Sequence, residues 1–178
     1  MNKKSLYWVK IWLFTAFLVI LDQLSKYLAT ICLKGKNDFE IIKDVFCLHY
    51  LDGGNTGAAW GMLSGKRVLF IIFTLIAVAF ICIFIRNVIH LYITTKNNVF
   101  RVLNVFLVLL MAGAIGNLID RVVQGYVVDF IYFKLINFPI FNVADCYVTI
   151  SCVGIIFICL FKVKEDEFNK ILSIKKIQ

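Results

Sequence analysis

The chain has 178 residues, of which 61% are hydrophobic, with a mean hydropathy of +0.87 and a single proline. This profile excludes a water-soluble globular protein and predicts one membrane domain that covers residues 1–178. The net charge of +8 is scattered over short segments without a basic aromatic platform. We therefore expect contact with membrane lipids and no binding of nucleic acid.

Four apolar stretches approach the roughly 20 residues that a helix needs to cross a bilayer. In chain order they cover about residues 6–29, 68–85, 102–119 and 145–161. The first follows Lys3 and Lys4, but it is too long for a cleaved signal peptide and lacks a small-residue cleavage site. We expect it to remain as a membrane span. Bulky Ile31 before Cys32 also fits a lipidation site poorly.

The distribution of basic residues predicts the orientation in the membrane. They are concentrated at the N-terminus, between the second and third spans and after the fourth: Lys3, Lys4, Lys10, Arg86, Lys96, Arg101, Lys162, Lys164, Lys170, Lys175 and Lys176. The positive-inside rule places these segments, with both termini, in the cytoplasm of a bacterial inner membrane protein. Residues 34–67 would then lie outside, where acidic residues accompany the lysines.

The segment 34–67 is rich in glycine and too long to be a simple connection. Its residues 39–51 are mostly β-branched and aromatic, which predicts one or two short strands, and residues 52–55 have the composition of a turn. The predicted fold class is an all-α integral membrane protein. It has four transmembrane helices and a small extracytoplasmic β-rich segment between the first two.

With this topology, polar residues from distant parts of the chain gather near the outer membrane surface. They come from the outer ends of the first, third and fourth spans and from the loop between the last two: Asp22, Asn117, Asp120, Arg121, Asp129, Asn142 and Asp145. Isolated charges are costly in such apolar surroundings, so a functional role is the default hypothesis for the carboxylates Asp129 and Asp145.

Asp129 and Asp145 stand out because each carboxylate lies among apolar neighbours. Asn142 precedes Asp145 at helix-capping spacing, so a purely structural role is one alternative for Asp145. Asp129 could simply be a solvated loop residue. As a pair, they predict a protonated Asp129 and an ionised Asp145 that share one proton and activate water.

Five further residues have structural interpretations that compete with chemistry. Gly113 is one of several small residues that allow another helix to approach. Asp120 and Arg121 are adjacent, and we expect an ion pair in which Arg121 orients Asp120. Asp22 and Lys26 lie one helical turn apart and are expected to neutralise each other.

The segment 55–60, with Asn55 at its start and Trp60 at its end, has two interpretations. It is either a turn with an aromatic anchor at the membrane interface or part of a binding loop. The glycines of the loop around this segment would permit closure over a substrate.

The six cysteines show neither a CxxC pattern nor metal-site spacing with His49 and His90, so no metal or other cofactor is predicted. Cys32 and Cys47 fall on the same side of the membrane. Their spacing does not decide whether they form a disulfide.

Five motifs occur together and in a fixed order: Asp22-Gln23-x-Ser25-Lys26, Asn55-x-Gly57-Ala58-Ala59-Trp60, Gly113-x-x-Gly116-Asn117-x-x-Asp120-Arg121, Val127-Val128-Asp129-Phe130 and Phe141-Asn142-x-Ala144-Asp145. In this combination the sequence closely resembles the lipoprotein signal peptidase family, the type II signal peptidases of bacteria. Gly54 departs from the family pattern, since many relatives have a larger and often basic residue there.

The resemblance implies a membrane aspartyl endopeptidase that cuts prolipoproteins before their diacylglyceryl-modified cysteine. It implies Asp129 and Asp145 as the catalytic pair. The residues that support the site or the substrate would be Asp22, Lys26, Asn55, Gly113, Asn117, Asp120, Arg121 and Asn142. Since one chain supplies all of them, we expect a monomer.

Two other classes of function are compatible with carboxylates in a membrane. A small proton-coupled transporter would need polar groups through the whole membrane depth, whereas these gather at one face. A non-enzymatic scaffold would tolerate the loss of both aspartates.

Overall fold

The computed structural model describes residues 3–57 and 66–174. Five helices follow the chain in this region: α1 (Lys3–Leu33), α2 (Arg67–Thr95), α3 (Asn98–Val123), α4 (Val143–Phe161) and α5 (Glu165–Leu172). The first four are long and apolar enough to cross a membrane. The predicted fold class is therefore confirmed. The part of the predicted outer loop at Ala58–Trp60 lies outside the described residues.

The membrane helices are longer than the apolar stretches that predicted them. α2 continues to Thr95, and α3 begins at Asn98 rather than near residue 102. Lys96 ends α2 in the left-handed conformation, and the Asn97 side chain caps α3 by accepting from the Val99 N–H at 3.0 Å. Because helices continue through polar residues at membrane interfaces, hydropathy alone placed these two helix ends inside the true ones.

α3 is the central helix of the bundle and packs against α1, α2 and α4. Side chains such as Phe100, Leu103 and Met111 on α3 are almost fully buried in the core that it shares with its neighbours. The predicted role of Gly113 is confirmed, because a Cβ atom there would lie 2.5 Å from the carbonyl oxygen of Ala144 on α4. The close approach of α3 and α4 brings their polar residues together.

A three-stranded antiparallel sheet lies beside the helix ends. Its strands are β1 (Phe39–Ile42), β2 (Phe46–Leu48) and β3 (Ile131–Tyr132), in that order across the sheet. The first two fall in the segment where strands were predicted. β3 was not predicted, because two residues are too few for a recognisable alternation. It follows Asp129 closely, so the sheet joins the loop that follows α1 to the loop that precedes α4.

The predicted turn after β2 is also present. The Gly54 N–H donates to the Leu51 carbonyl at 3.0 Å, and Gly53 has φ +83°. Asn55 then pairs with Val127 through two backbone hydrogen bonds of 2.9 Å. This pairing brings Asn55 close to the Asp129 segment.

All six cysteines lie in the described part of the chain and none forms a disulfide. Cys47 is buried in the sheet, whereas Cys32 is exposed on α1. The pairing that the sequence left open is therefore absent from this structure.

Candidate active site

The polar residues predicted to meet near one end of the bundle do so. α1 and α3 contribute side chains from their C-terminal parts, α4 from its first turn, and the loop between α3 and α4 contributes Asp129. Asn142 and Asp129 are only 0% and 1% exposed, so most of this cluster is screened from solvent.

Asn142 connects the two carboxylates. Its Nδ2 donates to Asp129 Oδ1 at 2.6 Å, while its Oδ1 accepts from the Asp145 N–H at 3.0 Å. In return, Asp145 Oδ2 accepts from the Asn142 N–H at 3.1 Å. These reciprocal bonds form a capping box at the start of α4, which confirms the predicted capping spacing. The same residues thus begin the helix and place both carboxylates beside one amide.

Asp129 receives a second hydrogen bond from Asn55, whose Nδ2 donates to Oδ2 at 2.9 Å. The Asn55 Oδ1 accepts from the Gly57 N–H at 3.0 Å, which fixes the amide orientation. Burial, and then the neighbouring charge of Asp145, raise the pKa of Asp129 from 3.8 to about 6. This loop carboxyl group therefore keeps its proton to a higher pH than an ordinary aspartate does.

Asp145 is held by the third helix through Asn117. The Asn117 Nδ2 donates to Asp145 Oδ1 at 2.8 Å. On its other side, Asn117 Oδ1 accepts from Lys26 Nζ at 2.9 Å and from Asn142 Nδ2 at 3.1 Å. Lys26 thereby fixes which end of the Asn117 amide faces Asp145, because an ammonium group can only donate.

Lys26 forms a buried ion cluster with two aspartates. Its Nζ lies 2.9 Å from Asp22 Oδ2 and 3.1 Å from Asp120 Oδ2, and the Lys26 side chain is 3% exposed. The predicted pairing of Asp22 with Lys26 is confirmed. Buried charges are tolerated only when they are paired and hydrogen-bonded. Gln23 completes the cluster, because its Nε2 donates to Asp22 Oδ2 at 3.1 Å and to Asp120 Oδ1 at 3.0 Å.

Both aspartates of the cluster also bind backbone amides next to the carboxylate pair. Asp22 Oδ1 accepts from the Ala144 N–H at 2.9 Å, and Asp120 Oδ2 accepts from the Val128 N–H at 3.1 Å. Each therefore fixes the backbone one residue before Asp145 or Asp129. The position of the pair depends on the ion cluster beneath it.

The expected ion pair between Arg121 and Asp120 is wrong. Lys26 occupies the position beside Asp120, whereas the Arg121 guanidinium donates to the Gly57 carbonyl at 3.2 Å and lies 4.9 Å from the centre of the Phe70 ring. Adjacent residues on a helix point in different directions. Arg121 consequently lines the cavity that contains the carboxylates.

This cavity has a volume of about 940 Å³, and both Asp129 and Asp145 line it. Its polar end also contains Asn55 and Arg121. The remaining wall is mainly apolar and comes from the segment before α4 and from α4 itself: Phe133, Phe138, Pro139, Ile140, Phe141 and Ile150. The arrangement suits a ligand with one polar group beside the carboxylates and an apolar portion beyond them.

The sequence predicted no role for Gln23 or for the apolar wall of the cavity with its three phenylalanines. A glutamine inside an apolar span was a usable signal, since such a group needs partners in a membrane. The wall had no comparable signal, because phenylalanines are frequent along the whole chain. Within residues 3–57 and 66–174, no three His, Cys, Asp or Glu side chains are grouped to hold a metal ion.

Comparison with known proteins identifies the family. The family model described as Signal peptidase (SPase) II matches residues 14–162. The lipoprotein signal peptidase of Caldanaerobacter subterraneus subsp. tengcongensis is 40% identical over 148 residues, which cover 83% of this chain and 93% of that protein. The lipoprotein signal peptidase of Staphylococcus aureus is 39% identical over 166 residues, 92% of this chain and 93% of that protein.

Solved structures share the fold. One described as a bacterial membrane enzyme superposes with a TM-score of 0.67 at 36% identity, covering 95% of this chain and 94% of its own. By sequence and by fold, the chain belongs to the signal peptidase II family.

Proposed function

We propose that this protein is an aspartyl endopeptidase that removes the signal peptide from prolipoproteins by cutting before the diacylglyceryl-modified cysteine. Family membership supports the reaction, since its relatives are named lipoprotein signal peptidases. The catalytic type rests on one observation: Asp129 and Asp145 share a single cavity and are connected through Asn142. The family does not favour a transporter or a scaffold.

In this mechanism, a water molecule lies between the carboxyl groups and attacks the carbonyl carbon of the peptide bond. The ionised carboxylate of Asp145 takes a proton from the water, and protonated Asp129 donates to the carbonyl oxygen. Collapse of the tetrahedral intermediate breaks the C–N bond, and the amine leaves with a proton from the pair. The raised pKa of Asp129 and the position of Asp145 at a helix N-terminus support this division of roles.

The remaining site residues position the pair and the substrate. Asn142, Asn117 and Asn55 hold the carboxylates by hydrogen bonds, and the cluster of Asp22, Lys26 and Asp120 supports them. Arg121 faces the cavity and is placed to bind a carbonyl of the substrate backbone. The substrate's acyl chains would lie in the lipid beside the apolar wall. This fixes the modified cysteine at the depth of the pair.

Orientation and assembly follow from the same proposal. The distribution of basic segments favours cytoplasmic termini, and with that orientation the carboxylate pair lies at the outer end of the bundle. One chain supplies every proposed site residue, and the enzyme therefore acts as a monomer.

The test is cleavage of a diacylglyceryl-modified prolipoprotein by the purified protein in lipid. Asp129→Asn and Asp145→Asn preserve side-chain shape but remove ionisation, and each should reduce the rate at least about 10²-fold. The control is Asp44→Asn, because Asp44 is exposed on the outer sheet. Wild-type activity in either Asp129→Asn or Asp145→Asn would exclude these two residues as the catalytic pair. Failure of the wild type to cut would exclude the proposed peptidase reaction.

A further inference from the structure

A second cavity opens at the opposite end of the bundle. It has a volume of about 500 Å³ and lies between the start of α1, the end of α2 and the start of α3. None of the residues that line it belongs to the carboxylate site or to the ion cluster beneath it. The proposed peptidase reaction gives it no role.

Two cations lie at this cavity, and neither has an acidic partner. Lys10 and Arg101 both line it, and within the described ranges neither forms an ion pair. Asn104 also lines it, and its buried Oδ1 receives no hydrogen bond from the described residues. The site therefore offers two positive charges and one unused acceptor.

The lining changes from polar to apolar along the helix axes. On α3, Arg101 and Asn104 precede Val105 and Val108. The rise of an α-helix places Val108 about 10 Å deeper than Arg101. On α1, Lys10 similarly precedes Phe14 by about one turn. This gradient has the scale of the lipid interface, where apolar groups enter the boundary between headgroups and acyl chains by about 5–10 Å.

We propose that this cavity binds the headgroup and upper acyl chain of an anionic phospholipid. Its phosphate would lie between Lys10 and Arg101, a headgroup hydroxyl would donate to Asn104, and an acyl chain would follow Phe14, Val105 and Val108. Basic pockets between transmembrane helices are suited to such headgroups. The basic start of a signal peptide does not fit, because the two cations would repel it.

The experiment is native mass spectrometry of the full-length protein in detergent, titrated with phosphatidylglycerol or with phosphatidylcholine. We expect one phosphatidylglycerol to bind selectively. The double variant Lys10→Gln/Arg101→Gln should weaken that binding about tenfold or more, from the loss of two cations. Lys96→Gln/Lys162→Gln removes the same charge from exposed positions outside the cavity and should leave it unchanged.

Val105→Trp tests the shape of the cavity independently of its charge. This residue is 44% exposed and lines the cavity, so the larger ring should fill the acyl portion without disturbing the core. We expect it to weaken phosphatidylglycerol binding while all cations remain. Wild-type binding in Val105→Trp, or equal losses in the two lysine-containing double variants, would show general surface attraction and overturn the proposal.

Two further arms complete the test. If glycerol 3-phosphate at equal concentration displaces the lipid from the wild type, the site recognises a free phosphate, and a phospholipid site is excluded. Prolipoprotein cleavage by the same preparations is assayed separately. Lipid binding is measured without any substrate, so failure of the peptidase reaction would not affect the proposed lipid site. Likewise, failure of lipid binding would not affect the proposed peptidase reaction.

Discussion

Asp129 is almost completely buried, yet it carries a group that ionises. Its folded-state pKa of about 6 lies above its ordinary value of 3.8, so the folded protein binds this proton more tightly than the unfolded chain does. The unfolded chain loses the proton first as pH rises. The folded state therefore becomes less stable between about pH 4 and 6 through this group alone. Asp129 favours folding when protonated and opposes it when ionised.

Replacing Asp129 by asparagine should remove this pH dependence. Relative to Asp129→Asn, wild type should lose up to about 3 kcal/mol of stability as pH rises from 4 to 7, the equivalent of the pKa difference. Thermal unfolding in detergent at both pH values measures the effect. Asp44→Asn is the control, and a constant difference between Asp129→Asn and wild type across this range would contradict the expectation.

Polar residues that are conspicuous in an apolar chain were predicted to meet, and the structure brings them together. Asp22, Asn117, Asn142 and both carboxylates of the pair were found because a polar side chain is costly in lipid unless it has a partner or a function. The partner of Asp120 was not predicted correctly. It comes from Lys26 on another helix, and local spacing carries no information about such a contact.

At the scale of elements, Asn142 combines two functions that are usually separate. Its Oδ1 caps α4, and its Nδ2 binds Asp129. The amide group is needed for both, since a carboxylate could not donate and a hydroxyl could not reach both partners. Helix initiation and placement of the carboxylate pair therefore depend on one side chain.

Two substitutions at Asn142 should separate these functions. Asn142→Ala removes both the cap and the bond to Asp129. Loss of the cap should lower the free energy of unfolding by about 1 to 2 kcal/mol, and prolipoprotein cleavage should fall as well. Asn142→Ser retains a good cap but loses the bond to Asp129. It should recover most of the melting temperature while prolipoprotein cleavage stays low. Parallel recovery of cleavage and melting temperature would mean that the bond to Asp129 has no role in the reaction.

The sheet shows which elements the sequence could predict. β1 and β2 have the composition of strands, and the turn after β2 has suitable glycines. β3 exists because the loop before α4 is held against β2, with Cys47 opposite Tyr132 and Leu48 opposite Ile131. Such a strand is created by tertiary pairing rather than by local preference. Tertiary contact also explains why residue 54 is a glycine, since a Cβ atom there would overlap the Tyr126 ring.

For the whole molecule, topology carried most of the predictive power. Alternating direction of the spans was sufficient to place the polar ends of α1 and α3 beside the start of α4. The helix ends depend on local caps such as Asn97, whereas the position of Arg121 and the apolar wall of the cavity depend on side-chain packing. For that reason the cavity and its shape became visible only in the folded protein.

The unequal lengths of the helices have a consequence for the bilayer itself. α4 has 19 residues and is about 28 Å long, whereas α1 has 31 residues and is about 46 Å long. α1 can tilt less in a thicker bilayer and still cross it, but α4 is already near the minimum length for crossing and holds Asp145 in its first turn. Greater thickness would therefore draw Asp145 below the water boundary.

We expect the cleavage rate in proteoliposomes to be highest when the hydrocarbon thickness matches α4, and to fall as longer acyl chains increase that thickness. Initial rates, normalised to inserted protein of equal helicity by circular dichroism, measure this dependence. A rate independent of acyl length would mean that the surrounding lipid thins to match α4. Hydrophobic mismatch at one short helix would thus make membrane thickness a control on proteolysis.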